Sequence, residues 1–135
     1  LCHPIDDNGE FAWEDVNFQP VQTVHVMSGR MIQHSFGLLI RDHVGEGKQT
    51  FLTTDTQFAP SQLMRFYQDS DLILHDCETT PWRSNVHAHY SDLVGLPPEI
   101  KAKMWLYHYN QKVPPQDAVA DGFCGFIKPG QTFSI

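Results

Sequence analysis

Side chains of the kinds that bind metal ions follow directly after three short apolar runs of the chain. Asp55, Asp76 and His108 each come at the end of such a run. In open α/β sheets, the strand ends are where side chains converge on a ligand crevice. Carboxylate oxygens and imidazole nitrogens are standard ligands for Zn²⁺ and similar cations. The positions therefore predict that these residues belong to a metal site.

The composition and charge argue against a nucleic-acid-binding surface. The chain has 135 residues, of which 41% are hydrophobic, so it is long enough for one domain with a packed core. Its net charge is −7 and its nine Lys and Arg residues are scattered, whereas binding to nucleic acid needs a basic face. An acidic protein that acts on a phosphate needs metal ions to supply the positive charge.

The cysteines and the hydropathy indicate where the protein works. The three cysteines lie far apart without a Cys-x-x-Cys pair, which favours free thiols in a reducing compartment. Cys77 has no positioned base nearby in the sequence and is predicted to be a small core residue. No apolar run approaches the roughly 20 residues of a membrane span, and no signal-peptide pattern opens the chain. We therefore expect a cytoplasmic protein without a membrane partner.

The pattern of apolar and turn-forming residues predicts an α/β fold in which a meander of strands precedes a strand, helix, strand unit. Strands are predicted over residues 21–26, 35–40, 49–54, 71–75 and 104–109, a helix from Pro60, and short helices over 91–93, 97–101 and from Pro114. Residues 1–20 are predicted to be loop with a short edge strand, and residues 125–135 a final strand or hairpin.

The residues alone leave two roles open at the strand ends. Asp55 lies where a short carboxylate can bridge two cations, as two-metal hydrolases require. However, Asp also commonly caps a helix or closes an Asx turn. His108 is a standard type of metal ligand, but a histidine in an aromatic strand more often stacks on its neighbours, here Trp105, Tyr107 and Tyr109.

Other histidines carry similar alternatives. His87 and His89 lie two residues apart, which on an extended segment places both side chains on one face; alternatively, they belong to a polar loop that bonds to the backbone of Leu93. His25 lies at the end of one predicted strand and His34 at the start of the next. Both of these could equally be surface histidines.

The order of four motifs carries a resemblance to a known family. The motifs are Thr54-Asp55-Thr56, then residues 71–76, then His87-Ala88-His89, then residues 106–109. This order resembles the C-terminal half of the metallo-β-lactamase superfamily, and within it the tRNase Z-like phosphodiesterases. Their equivalents are a Gly-Asp-Thr turn, a His-Glu-Ala-Thr element, a His-Ser-Thr element and a terminal histidine. Thr54 stands where the family has glycine, and Asp76 where it has glutamate.

A narrower branch of that superfamily is also similar. The segments 53–58 and 76–79 resemble those of phage and bacterial cyclic-nucleotide phosphodiesterases, including the anti-Pycsar enzymes. The resemblance covers roughly residues 21–109 and implies the C-terminal half of a four-layer αβ/βα sandwich. Residues 1–135 would then be a single partial domain that lacks the N-terminal half with its His-x-His-x-Asp-His motif. We expect that missing half to be a partner of this chain, and the fragment alone to be inactive. A homodimer is an alternative assembly.

The resemblance also implies the metal ligands. His25, Asp55 and His108, together with histidines of the missing half, would hold two divalent metal ions, Zn or Mn. The ions would polarise a phosphoryl group and generate the attacking hydroxide. His34 competes with His25 for the position of the histidine in the family's third motif.

The same resemblance implies the acid of the reaction. His87 would protonate the departing oxygen, with His89 as its substitute or neighbour. Asp76 would orient an imidazole, with His75 and Asp76 forming a carboxylate–histidine pair next to the metal ligands.

The expected substrate is a small phosphodiester. A cyclic nucleotide is preferred over tRNA, because the chain is acidic and has no basic arm to hold a long RNA. Two alternatives follow from the same residues. One is another hydrolase of this fold, such as a tRNA 3′ endonuclease, a lactonase or a thioesterase. The other is a non-catalytic truncated remnant or interaction module.

Overall fold

Seven strands and three helices make up the computed structural model, which describes residues 2, 4–5, 9–42, 47–110 and 114–134. The strands are β1 (Phe11–Trp13), β2 (Val16–Ser28), β3 (Met31–Asp42), β4 (Gln49–Leu52), β5 (Leu72–Asp76), β6 (Met104–Tyr107) and β7 (Gly125–Phe126), and the helices are α1 (Pro60–Asp69), α2 (Tyr90–Leu93) and α3 (Pro98–Lys101). All strands form one sheet in sequence order. The first three pairings, from β1 to β4, are antiparallel, and those from β4 to β7 are parallel. The predicted α/β class is confirmed.

One face of the sheet forms the core. The paired row Leu39, Phe51, Ile73 and Met104 crosses four strands on this face, and every member is buried. Helix α1 covers the row, because its Tyr67 ring lies 6.1 Å from the Phe51 ring. Burial of such apolar side chains is the main source of stability for the fold. The helix begins at Pro60, as predicted, since proline suits the first helical turn.

The opposite face is also apolar, and no helix of the described residues is seen to pack on it. The neighbouring paired row is Leu38, Leu52, Leu74 and Trp105, and each of these side chains is partly exposed. Within the described chain, this row is covered near its end by Phe133, whose ring lies 5.6 Å from Trp105. A sheet with one bare apolar face normally packs against a second layer.

The parallel half of the sheet sets the geometry of the predicted site. Strands β4, β5 and β6 run side by side in the same direction, with Leu52 opposite Leu74 and His75 opposite Leu106. Their carboxyl ends therefore meet at one edge. Gly37 of β3 lets the backbone of this edge approach closely, because a Cβ there would lie 2.7 Å from the carbonyl oxygen of Leu52.

Several predicted boundaries are wrong. The strands predicted over 21–26 and 35–40 are only the middle of β2 and β3, which form a long hairpin, so residues 16–20 are strand rather than loop. Pro20 is tolerated within β2 because β1 pairs only with residues 16–18, which leaves one side of β2 open there. Antiparallel pairing lengthens both strands beyond their apolar centres.

The C-terminal predictions also fail in part. No helix begins at Pro114, and the described residues 114–122 form bends and turns. The final hairpin is absent from the described residues, because β7 contains only Gly125–Phe126 and Phe133 packs on Trp105 instead. Leu1 and Ile135, at the ends of the predicted first and last segments, lie outside the described residues.

The prediction that Cys77 is a core residue is confirmed. Cys77 is buried in the core as predicted, and all three cysteines are free thiols. Burial raises the pKa of the Cys77 thiol, as do the charges of Asp76 and Glu78. Among the described residues, no helix has the length and apolar character needed to cross a membrane.

Candidate metal centre

Four side chains of the types that bind metal ions meet at the carboxyl edge of the parallel strands. They are Asp55 in the turn after β4, Asp76 at the end of β5, His87 in the segment before α2, and His108 directly after β6. One ligand atom from each side chain lies within 4.8 Å of those of the other three. The strand order therefore converts positions far apart in sequence into one cluster.

Asp76 lies at the centre of this cluster. Its side chain is fully buried, and its Oδ2 accepts a hydrogen bond of 2.9 Å from the Thr56 amide. The same oxygen lies 2.7 Å from His87 Nδ1, while Oδ1 lies 3.0 Å from His108 Nδ1. A buried carboxylate needs such partners, since an unpaired one costs several kcal/mol. Asp76 therefore orients two imidazoles at once.

The predicted pairing of Asp76 with the His75 imidazole is wrong. Alternation along β5 places His75 on the core face, where its Nε2 accepts a hydrogen bond of 2.7 Å from the Tyr67 hydroxyl. Its Nδ1 lies 2.6 Å from the main-chain oxygen of Asp76 and therefore carries the proton. Burial lowers the pKa of His75, which keeps it neutral. His75 thus fixes α1 to the sheet and does not reach the cluster.

Two of the cluster's turns have an unusual backbone. Thr54, just before Asp55, has a φ of 53°, and His108 has a φ of 63°. The left-handed region is costly for residues other than glycine, by about 1–3 kcal/mol for such positions. The family's glycine at the position of Thr54 fits this observation. The Thr54 hydroxyl donates to the carbonyl of Phe36 at 2.9 Å, and the Ser35 hydroxyl donates to the carbonyl of Asp55. These bonds hold the strained turn in place.

His25 reaches the cluster because of a β-bulge. The register of β2 and β3 shifts between Val24 and Val26, so His25 is the extra residue. Bulges redirect side chains next to functional sites. His25 Nδ1 lies 3.0 Å from the Val86 carbonyl and donates to it, while Nε2 lies 4.0 Å from Asp55 Oδ2. A histidine with one nitrogen bonded to a carbonyl and the other free has the arrangement typical of metal ligands.

The structure separates the remaining predicted histidines from the cluster. His34 is exposed on β3, paired with Val24, and makes no described contact with the cluster. His89 caps α2: its Nδ1 accepts from the Ser91 amide and its Nε2 lies 2.8 Å from the Thr80 carbonyl. Both nitrogens of His89 are therefore occupied. His87 and His89 do not act on a common face.

Glu78 is a site residue that the sequence analysis missed. It is buried, and its carboxylate accepts hydrogen bonds of 2.9 Å from the Thr80 hydroxyl, the Ser84 hydroxyl and the Ser84 amide. Burial alone would raise the pKa of this carboxyl, but the bonds from Ser84 and Thr80 and the nearby His89 outweigh burial and lower it. Glu78 thus anchors the loop that carries His87. No sequence pattern marks such a loop-filling carboxylate.

The donor set fits a divalent cation. Two carboxylates and two imidazoles form the cluster, with His25 beside it, and nitrogen and oxygen ligands of this kind suit Zn²⁺ or Mn²⁺. His108 Nδ1 lies 3.4 Å from Asp55 Oδ1, a separation at which both atoms could be ligands of one cation. Four ligand atoms suffice for one cation. A second cation at the spacing of two-metal sites needs ligands from elsewhere.

Comparison with solved structures identifies the fold. A metallo-β-lactamase fold protein, YhfI from Bacillus subtilis, matches 90% of this chain and 49% of its own length, with 14% identity and a TM-score of 0.66. A diphosphatase from the PhnP family matches 79% of this chain and 38% of its own (18% identity, TM-score 0.57). Unliganded yeast PDE1 matches 90% of this chain and 43% of its own length, with 10% identity and a TM-score of 0.57. The chain thus spans half or less of each structure.

Sequence comparison identifies the family. No curated protein gives a significant match to the chain. The model of the family described as anti-Pycsar protein Apyc1 matches residues 1–133, which is nearly the whole chain. The resemblance predicted from the four motifs is therefore confirmed, and the chain belongs to the anti-Pycsar protein Apyc1 family.

Proposed function

We propose that the natural protein containing this chain is a metal-dependent phosphodiesterase, and that it hydrolyses a cyclic nucleotide. The observation that carries the proposal is the cluster of Asp55, Asp76, His87 and His108, whose ligand atoms lie within 4.8 Å of one another. Membership of the anti-Pycsar family supports the same reaction class.

In this proposal, His25, Asp55 and His108 hold the metal ions. Two divalent ions, Zn or Mn, would polarise the phosphoryl group and activate a water molecule when bound. Asp55 is half-exposed and lies between the imidazoles of His25 and His108, at 4.0 Å and 3.4 Å. This position supports its role as the carboxylate shared by both ions.

His87 is the proton donor in the proposed reaction. Its Nδ1 bonds to Asp76 Oδ2, which leaves Nε2 as the nitrogen that can deliver a proton. A positioned histidine is the most common proton donor in enzymes. The ring of His87 lies 4.4 Å from that of His108, so the donor stands directly beside the metal ligands. Asp76 is the positioning residue of this pair.

The same cluster permits a second assignment, in which Asp76 and His87 are themselves ligands. Two observations favour the first assignment, in which His87 is the proton donor and Asp76 positions it. Asp76 already has the Thr56 amide and both imidazoles as partners, and His87 is held through Nδ1 in the orientation that a proton donor needs.

A cyclic nucleotide is the proposed substrate for reasons of charge and family. The chain carries a net charge of −7, which opposes binding of a long polyanion such as tRNA. A small phosphodiester needs charge compensation only at one phosphate, which the metal ions supply.

We also propose that a further half of the fold covers the bare face of the sheet. Leu38, Leu52, Leu74 and Trp105 are partly exposed there. Such a half, from the same polypeptide or a companion chain, would cover these side chains and add metal ligands. Calorimetry should then find fewer than two metal equivalents bound tightly by residues 1–135 alone.

The proposal is tested by assaying the longest natural polypeptide that contains these residues. It is purified, loaded with Zn²⁺ or Mn²⁺, and given cyclic nucleotides, precursor tRNA, a lactone and a thioester in parallel. Metal-dependent hydrolysis of cyclic nucleotides, abolished by chelation and restored by metal, is the expected result. Turnover of the lactone or thioester alone would place the protein in another hydrolase class, and no turnover of any substrate would favour a non-catalytic role.

A further inference from the structure

A cleft of about 190 Å³ opens beside His87, and Asp55, Asp76 and His108 do not line it. Its walls are formed by residues from the segment after Asp55, from the loop before His87 and from α2: Gln57, Phe58, Arg83, Asn85, His89 and Asp92. Because His87 is part of the same wall, a group in this cleft would lie next to the oxygen that His87 protonates.

The charge of the cleft is balanced. Arg83 pairs with the carboxylate of Asp92 and also donates to the Ser91 hydroxyl at 2.9 Å. The guanidinium of Arg83 therefore already has an anionic partner. Of the two histidines that line the cleft, His89 has both nitrogens bonded and His87 is paired with the Asp76 carboxylate. A second phosphate would find no unpaired cation among the lining residues. The cleft suits a neutral group.

The lining chemistry suits a flat ring with polar edges. Phe58 packs against the core and contributes to the wall of the cleft, where an aromatic ring can stack on a base. Gln57 uses its Nε2 to donate to the carbonyls of His25 and Asn85, so its amide oxygen remains available as an acceptor. The side-chain amide of Asn85 is exposed and bonds to no described residue.

Hydrogen bonds within the loop fix the shape of the cleft. The carboxylate of Glu78 holds the loop through Thr80 and Ser84, and Asn85 then takes a left-handed backbone with a φ of 61°. A costly backbone conformation persists only where the surroundings fix it. The volume is below the 300–1,000 Å³ usual for drug-sized ligands, so one ring system fits and a nucleic-acid helix does not.

From these observations we infer that the cleft is the subsite for the nucleobase of the substrate, with Phe58 as the stacking surface and Gln57 and Asn85 as contacts to the base edge. This inference rests on the proposed phosphodiesterase function. It adds a prediction that the metal cluster does not make: the enzyme distinguishes a phosphodiester with a base from the same phosphodiester without one.

The test compares two substrates with the same reacting bond, using the natural metal-loaded polypeptide. One is a ribonucleoside cyclic phosphate, and the other is the corresponding ribose cyclic phosphate with hydrogen in place of the base. We expect kcat/KM for the nucleotide to exceed that for the base-free compound by roughly 10- to 100-fold, the range expected for loss of one stacking contact. Phe58→Ala should reduce this ratio most, and Phe58→Tyr should preserve it.

Two further variants keep the test decisive if Phe58→Ala fails to fold. Asn85→Gly retains the left-handed backbone but removes the amide, and should lower the ratio. Trp82→Ala, in the same loop but outside the cleft and largely exposed, should leave the ratio unchanged. Equal kcat/KM values for the two substrates in the wild type, or an unchanged ratio in both Phe58→Ala and Asn85→Gly, would overturn the subsite. Absence of hydrolysis of both substrates would instead overturn the phosphodiesterase function.

Discussion

Asp76 Oδ2 lies 2.7 Å from His87 Nδ1, although the two residues come from different segments of the chain. The carboxylate is fully buried at the end of β5, whereas the imidazole is partly exposed. The Thr56 amide donates to the same oxygen and so fixes its position. This arrangement holds the imidazole by one nitrogen and directs the other outward.

The first prediction concerns this pair. Asp76→Asn keeps the shape of the side chain but removes the charged oxygen that holds His87 Nδ1, so the imidazole is oriented less firmly. We expect kcat to fall by roughly 10- to 100-fold, the usual effect of changing a residue that orients an active-site histidine. Metal content, measured by elemental analysis, should stay near the wild-type value. Loss of both metal ions from Asp76→Asn would make Asp76 a ligand instead.

Much of this site could be predicted from local sequence. Asp55, Asp76 and His108 follow apolar strands, and strand ends of a parallel sheet meet at one edge. The motifs therefore indicated which residues converge. Thr54 departs from the family's glycine, yet its φ of 53° is one that glycine adopts easily.

The rest depends on interactions that local sequence does not encode. The bulge that directs His25 inward arises from the register of a long hairpin, in which Val24 pairs with His34 and Val26 with Gln33. Register is decided by the pairing of both strands together. The direction of the His75 side chain was likewise not evident from its neighbours in sequence. Neighbouring residues of a strand point to opposite faces of the sheet, and because the core lies on the His75 side, His75 contacts Tyr67 while Asp76 points to the cluster.

The second prediction concerns the metal ligands. Asp55→Ala and His108→Ala, each made in the natural polypeptide, should reduce metal content and abolish activity, because each removes a ligand atom from the cluster. Removal of Asp55, the carboxylate proposed to be shared by two ions, should have the larger effect on metal content. His34→Ala serves as the matched control, since His34 is exposed on β3 and should retain full metal and activity. Normal metal occupancy in either ligand variant would show that its residue is not a ligand.

The third prediction concerns the loop that Glu78 anchors. Glu78→Gln removes the charge that accepts bonds from Ser84 and Thr80, so the free energy of unfolding at pH 7 should fall by about 1–3 kcal/mol. The pKa of Glu78 is lowered in the folded state, so its contribution is present above the ordinary carboxyl pKa of about 4.3 and is lost as the pH falls below it.

Urea unfolding of wild type and variant at pH 7 and near pH 3.5 measures this dependence. The difference between the two proteins should be largest at pH 7 and should shrink at the acidic pH. Glu99→Gln, at an exposed position on α3, is the control and should show little difference at either pH. A difference between wild type and Glu78→Gln that stays constant with pH would mean that the charge of Glu78 does not stabilise the loop.

The last prediction separates the acid from the ligands, because the two roles make opposite demands on a histidine. A ligand must be neutral, and its removal empties the site, whereas an acid must carry a proton, and its removal leaves the metal ions in place. His87→Ala should therefore retain its metal but lose roughly 10²- to 10⁴-fold in rate on a nucleotide substrate. A nitrophenyl phosphodiester has a leaving group that needs little protonation, so on that substrate the defect should shrink sharply.

His89→Ala is the comparison. Since His89 caps α2, any fall in rate that this variant shows should be the same for good and poor leaving groups. If His87→Ala lost metal, or if His89→Ala alone showed the dependence on the leaving group, the proton donor would not be His87.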